Sequence, residues 1–355
     1  MRSVFIITII TLILSASFNL NAQESKILRI LSWENFFHPK VISNFEKENN
    51  VRIEIIPYYS ELMRDTLFKN DVSKNIDIVL STQSGIADYI DNGFLLPLEF
   101  DKLDNYKYLD TQFTSNRIVR VHSIAISYGI LGIAYRKDKD FTPPTNWSDF
   151  INPDPHLKGK IDIIADADDA LDIFLMGVGN DLRFYNIEEL FHAAELLDYF
   201  KDFINQFGYN TEFKDDSLMT GEVWVAPVYG FQFNEMVKVN SNLAFIYPEY
   251  TKIWRDYLAI NSDSRNKDIS TKFLNYLMNP KIAALNFEHN LYKPLNNESF
   301  KYISEDLKNN NYVNPDIKNI KLFTDEVSDK YIKNKKHYFY YRISNKKGER
   351  NEITE

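Results

Sequence analysis

The sequence predicts an α/β protein built as two lobes. Three observations carry that expectation. Strand-like and helix-like segments alternate through the first third of the chain and again through its middle. A chain of 355 residues can bury more core than one domain usually holds. Between the two alternating regions, "SIAISYGILGIAYRKD" (123–138) is β-rich and is placed to carry the chain from one lobe to the other.

The elements follow in order. "KILRILSW" (26–33) is a nearly continuous apolar strand, and in "PKVISNFEKENN" Val41, Ile42 and Phe45 recur at helical spacing before the turn-prone Asn49-Asn50. "VRIEIIPYY" alternates as a strand, "SELMRDTLFKN" reads as a helix, "IDIVLS" as a short buried strand, and "SGIADYIDNGFLLPL" as a helix closed by Gly93. Two βαβ units in succession imply a mostly parallel sheet with helices on its faces. The middle repeats the grammar: "TNWSDFI" starts a short helix, "GKIDIIAD" is a strand, "DALDIFLMGVG" a helix, "NIEELFHAAELLDYFKDFI" a longer amphipathic helix, and "GEVWVAPVYG" a strand. "WRDYLAI" reads as a return strand and "NKDISTKFLNYLMNP" as the helix after it. The expected division is 23–135 with about 257–300 in one lobe, 136–256 with about 301–345 in the other, and 346–355 as a tail.

The start of the chain reads as a secretory signal over residues 1–22. Arg2 precedes the 11-residue run "VFIITIITLIL", and small and polar residues follow, with cleavage expected after Ala22. A spanning helix needs about 20 residues, so an export signal fits this run better than a retained anchor. The chain has no cysteine, which excludes disulfides, thiol nucleophiles, thiolate metal sites and a lipid-anchor cysteine. A soluble periplasmic protein, monomeric, is the expectation. Net charge is -9, but residues 330–350 carry eight Lys/Arg against one Glu, so the remainder holds 33 basic against 49 acidic residues, or -16. That acidic body argues against nucleic acid as a partner.

The densest chemistry is "ADADDALDIF", where Asp166, Asp168, Asp169 and Asp172 fall within seven residues. A calcium loop counted from Asp166 would need Gly at its sixth position and Glu at its twelfth, but those are Leu171 and Gly177. A catalytic acid pair, Asp166 with Asp169, is conceivable. However, no G-x-S-x-G, H-E-x-x-H or P-loop accompanies it, and the six histidines lack metal-ligand spacing. Asp166 as N-cap with Asp169 three residues on also resembles a capping box. A cation receptor at a helix N-terminus must overcome the helix dipole with side-chain carboxylates, so an excess of acids there fits both readings. Aromatics supply the other half of an amine site, each ring face contributing roughly 0.5–2 kcal/mol toward a cation. Trp33 and Phe36 lie at the end of the first strand, and Trp254 sits two residues before Asp256. Ligands of open α/β sheets gather beyond strand carboxyl ends, which selects "SWENFF", "STQSG" and "ADADD".

Taken in order along the chain, these segments resemble the periplasmic spermidine/putrescine (polyamine) substrate-binding proteins of ABC importers. "ILSWENFF" is similar to that family's first strand and its Asn-Trp-x-acid-Tyr motif. "IDIVLSTQSGIADYIDNGFL" matches the next strand and helix. "TNWSDFINPDPHLKGKIDIIADADDALDIF" matches the Trp-x-Asp landmark, the Lys-Gly turn and the segment carrying two ligand-binding acids. "GEVWVAPVYG", "IWRDYLAI" and "NLYKPLN" match a strand ending in a site aromatic, the Trp-x-Asp clamp and a Tyr-x-Pro turn.

The resemblance implies a two-lobed type II periplasmic-binding-protein fold, each lobe a mixed sheet flanked by helices, with ligand in the interlobe cleft. It implies that Asp166 and Asp169 receive amine groups and that Asp256 holds the amine opposite. Trp33, Tyr229, Trp254 and Tyr292 would line the methylene chain, and Thr82 would sit near one end. Two departures stand out: the motif's acid falls on Asn35 (with Glu34 just before it) and its Tyr on Phe36, while the aromatic of the "STQSG" loop falls on Ser84. Asp168 and Asp172 are assigned to the helix surface. The implied partners are a polyamine, a membrane permease and its cytoplasmic ATPase, with no catalysis, cofactor or metal. The alternatives are a same-fold binding protein for another cationic amine or small solute, or an exported hydrolase using an acid pair.

Overall fold

In the computed structural model the described residues are 26–70, 75–110, 117–164, 167–182, 185–207 and 216–323. The signal expected at 1–22, Asp166 and the basic tail lie outside them, as does the side chain of Asp168.

The first strand, β1 (Lys26–Trp33), pairs in parallel with β2 (Val51–Tyr58) on one side and β3 (Ile78–Ser81) on the other. Helix α1 (Pro39–Asn49) connects the first two. Its start suits Pro39, whose fixed φ fits a first turn, and its end turns on Asn50 in left-handed backbone (φ 48°). Helix α2 (Glu61–Lys69) is capped by Ser60, whose Oγ accepts from Met63 N at 3.1 Å, and α3 (Gln83–Asp91) follows β3. A short α4 (Arg117–His122) leads into the 14-residue β4 (Ser123–Arg136).

The second half begins with α5 (Trp147–Ile151), β5 (Ile161–Ile163), α6 (Ala167–Gly177) and α7 (Ile187–Phe200), the last closed by a capping box between Asn186 and Glu189. Then come β6 (Ile204–Phe207), α8 (Ser217–Thr220), β7 (Val225–Tyr229), α9 (Gly230–Val239), β8 (Leu243–Ile246) and the return strand β9 (Tyr250–Ile260). The remaining elements are α10 (Lys267–Leu277), α11 (Pro280–Asn290), β10 (Lys293–Pro294), α12 (Glu305–Lys308) and β11 (Lys321–Phe323).

The strand order is β2-β1-β3-β9-β4-β7-β5-β6, with β8 and β10 on β4 and β11 on β9. Strands β4 and β9 lie antiparallel and run through both halves. The core changes hands on β4. Ile130 belongs to the core that includes Leu28, Leu31, Leu80 and Leu258, whereas Leu131 belongs to the core that includes Ile161, Leu171, Phe174 and Val225. A further crossing lies between Leu295 of the first core and Phe323 of the second.

The sheet is mixed, as the family resemblance implies, where the βαβ units alone imply a mostly parallel one: β3–β9, β9–β4 and β4–β7 are antiparallel, because the crossing strands return the chain between lobes. One expectation is corrected here. The long helix read from residue 186 to 204 ends at Phe200. Phe203 N turns back to Phe200 O at 3.0 Å, and Ile204 begins β6, parallel to β5. The apolar residues Phe203 and Ile204 continue the helical spacing, but pairing with β5 satisfies their backbone as strand.

Candidate ligand-binding site

Alternation along β9 puts Lys252, Trp254 and Asp256 on one face of a strand shared by both lobes. The partner strand is shaped to receive them. Gly129 of β4 lies opposite Trp254, and a Cβ there would sit 2.6 Å from the indole nitrogen, so only glycine lets the ring lie across the strand. One step along, the β4–β9 register shifts between Ala125 and Ser127, which sets Ser127 against Asp256. Ser127 Oγ donates to Asp256 Oδ2 at 2.9 Å.

Asp256 is 2% exposed. Burial pushes its carboxyl up to about 8, against the pull of the Ser127 hydrogen bond and the Arg64 charge. A carboxylate in this position gains most from a cation brought to it.

Rings surround Trp254. Tyr292 lies 5.1 Å away edge-to-face and Tyr229 lies 5.9 Å away, also edge-to-face, with Phe231 at 6.1 Å. Phe231 in turn touches Tyr292 at 4.7 Å, and Phe36 reaches Tyr292 at 5.6 Å. Burial, and after it the Asp256 charge, raises the Tyr292 phenol pKa. Residues from the two ends of the chain and from both lobes thus meet in one aromatic group.

At the second lobe's end, the Tyr229 phenol donates to Asp169 Oδ2. Asp169 Oδ1 lies 2.8 Å from Lys252 Nζ, which also reaches Asp172 Oδ2 at 2.5 Å. Asp172 is 0% exposed. This corrects its assignment to the helix surface: Asp169 and Asp172, three residues apart, share the face of α6 that packs toward β9, where Lys252 meets both. Asp166 lies outside the described residues.

At the first lobe's end, Trp33 packs on the buried Tyr58 with ring centroids 4.3 Å apart, and the Tyr58 phenol donates to Leu80 O at 2.9 Å. Thr82 precedes α3, and its hydroxyl donates to Glu61 Oε1 at 2.8 Å. The same Glu61 oxygen receives the buried Arg64 at 3.3 Å, and Arg64 also holds Asp65 at 2.9 Å. Gly85 makes room for that guanidinium, since a Cβ would lie 2.7 Å from Arg64 Nη2. Asn35 is exposed in left-handed backbone (φ 56°) on the turn after β1, and Glu34 beside it is exposed.

Of the residues expected from the sequence, the structure therefore brings Phe36, Tyr229, Trp254 and Tyr292 into one group of rings, with Asp169 and Asp256 at its margins. Sequence reasoning missed Lys252, Tyr58, Ser127, Phe231 and Glu61. The i, i+2, i+4 pattern Lys252-Trp254-Asp256 on a recognised strand is the signal that finds Lys252. Phe231 carries no such signal, since it lies just past "GEVWVAPVYG" in a stretch the sequence assigns to no element.

A profile of the bacterial extracellular solute-binding proteins matches residues 40–313. The chain belongs to that family. Among curated relatives of this solute-binding protein, the putrescine-binding periplasmic protein PotF of Escherichia coli is 26% identical over 337 residues, covering 88% of this chain and 89% of its own. Among solved structures, the spermidine/putrescine substrate-binding protein PotD of Streptococcus pneumoniae superposes with a TM-score of 0.76 at 20% identity, over 90% of this chain and 99% of that one. A GABA receptor superposes at 0.74 with 17% identity, over 89% and 97%. These likenesses show the type II periplasmic-binding-protein fold.

Proposed function

We propose that this solute-binding protein captures a linear polyamine, spermidine or putrescine, between its lobes. It then delivers the ligand in the periplasm to the membrane permease of an ABC importer driven by a cytoplasmic ATPase. The observation that carries this reading is the sequence of side chains on one face of β9 and its neighbours. Trp254 stands amid Tyr229, Phe231 and Tyr292, next to a buried Asp256. A chain of methylenes ending in an ammonium matches that order: ring faces hold the methylenes, and the carboxylate takes the charge. The names of PotF and PotD support the same ligand class.

In this reading Trp33, Phe36, Thr82, Tyr229, Trp254, Asp256 and Tyr292 contact the ligand, Asp166 and Asp169 mark its second-lobe end, and Asn35 lies at the mouth. Residues 23–135 with about 257–300 form one closing lobe and 136–256 with about 301–345 the other. The change of core between Ile130 and Leu131 supports a hinge on β4. Binding proceeds without turnover.

Titration calorimetry with putrescine, cadaverine, spermidine and spermine tests the proposal. One ligand per chain is expected, and no heat and no thermal shift with any of them would overturn it. Another cationic amine is the second reading, favoured by the engagement of Asp169 with Lys252. It predicts tighter binding of a mono-ammonium solute than of any polyamine.

A further inference from the structure

Lys252 is an ammonium on a four-carbon stem, chemically the end of a polyamine, and the structure seats it where the family resemblance puts a ligand amine. Its Nζ lies 2.8 Å from Asp169 Oδ1 and 2.5 Å from Asp172 Oδ2, and its side chain is 7% exposed. The other oxygen of Asp169 accepts from Tyr229. Both oxygens of this acid thus already have donors from the chain itself.

We infer that Lys252 is a tethered ammonium that fills the second lobe's end of the cleft and selects a short diamine over longer tri- and tetra-amines. The inference rests on the polyamine reading above. Lys252 and Asp256 are four residues apart on β9, on the order of 13 Å between Cα atoms at about 3.3 Å per residue. Trp254 lies between them, and Lys252 carries its ammonium to Asp169 and Asp172 on the second-lobe side of it. A ligand anchored at Asp256 and laid along Trp254 must end before Lys252. A longer amine brings a further ammonium to an acid whose two oxygens Lys252 and Tyr229 already hold, so that ammonium leaves water without a carboxylate of its own.

A purely structural ion pair would affect all ligands alike, so the test is a ratio. Calorimetry should show the unaltered protein binding putrescine at least about tenfold more tightly than spermidine, a margin that corresponds to one lost charge contact. Lys252→Met keeps the length of the stem and removes the charge, and it should reverse that preference by strengthening spermidine. If leaving Asp172 unpaired unfolds this variant, Lys252→Met combined with Asp172→Asn removes the buried pair together while keeping Asp169, and it should show the same reversal. An unaltered spermidine-to-putrescine ratio in a folded variant overturns the inference, as does an unaltered protein that prefers spermidine or spermine. Absence of heat with every polyamine, in the unaltered protein and in the variants, instead overturns the polyamine reading itself, and this inference with it.

Discussion

Lys252 Nζ lies 2.5 Å from Asp172 Oδ2, joining β9 to an aspartate 80 residues earlier in a buried ion pair. Breaking such a pair leaves an uncompensated charge out of water. Lys252→Met removes the cation that Asp169 and Asp172 share, and should therefore lower the unfolding free energy by about 3–5 kcal/mol. Urea unfolding measures it, and a loss below about 1 kcal/mol, the worth of an exposed pair, would show that the pair is solvated.

Asp256→Asn should weaken polyamine binding by 2–5 kcal/mol, on the order of 30- to 4,000-fold, because a desolvated ammonium loses its charge partner. The same change should not harm the ligand-free fold at neutral pH, since it removes a buried acid. Calorimetry and thermal melts on one preparation separate the two effects. Unchanged affinity in a folded variant would remove Asp256 from the site.

The stability of the ligand-free protein should fall as pH rises toward 8. Burial lifts the Asp256 carboxyl to about 8, so the folded state holds a proton that the unfolded chain releases near pH 4. Its contribution is complete below about pH 4 and is lost as the pH rises through about 8. Melting temperatures of the unaltered protein and Asp256→Asn should therefore converge toward low pH and separate toward pH 8. Parallel curves would refute the linkage.

Ligand capture should release a proton. An ammonium replaces the proton on Asp256, so at pH 6 about one proton should leave per ligand bound. Calorimetry in buffers of different ionisation enthalpy reads this directly. Heats that are the same in every buffer would mean Asp256 is already ionised before binding.

Gly129→Ala should displace the Trp254 indole, whose nitrogen would lie 2.6 Å from the new Cβ. The expected cost is about 1–3 kcal/mol of stability, with weakened binding and an altered tryptophan emission. Unchanged emission together with unchanged affinity would show that the ring does not need this glycine.

Much was legible in the sequence because it is local. An apolar run set out β1, period-3.6 spacing α1, alternation β2 and β-rich composition the crossing β4, and the pairing of Trp254 with Asp256 two residues on survives folding because strand alternation keeps both on one face. Helical spacing misled at Phe203 and Ile204, where partners on β5 turned an apparent helix end into β6.

What the sequence by itself determined is the alternation of elements, the acid cluster opening α6 and the aromatics at strand ends. What only the tertiary structure decided is which charges face which. Asp172 reads as a surface residue of α6 until β9 arrives beside it and Lys252 buries it, and Phe231 has no reading until it meets Tyr292. Burial and ion pairing are properties of juxtaposed elements. Residues 80 apart carry no local pattern that announces their meeting.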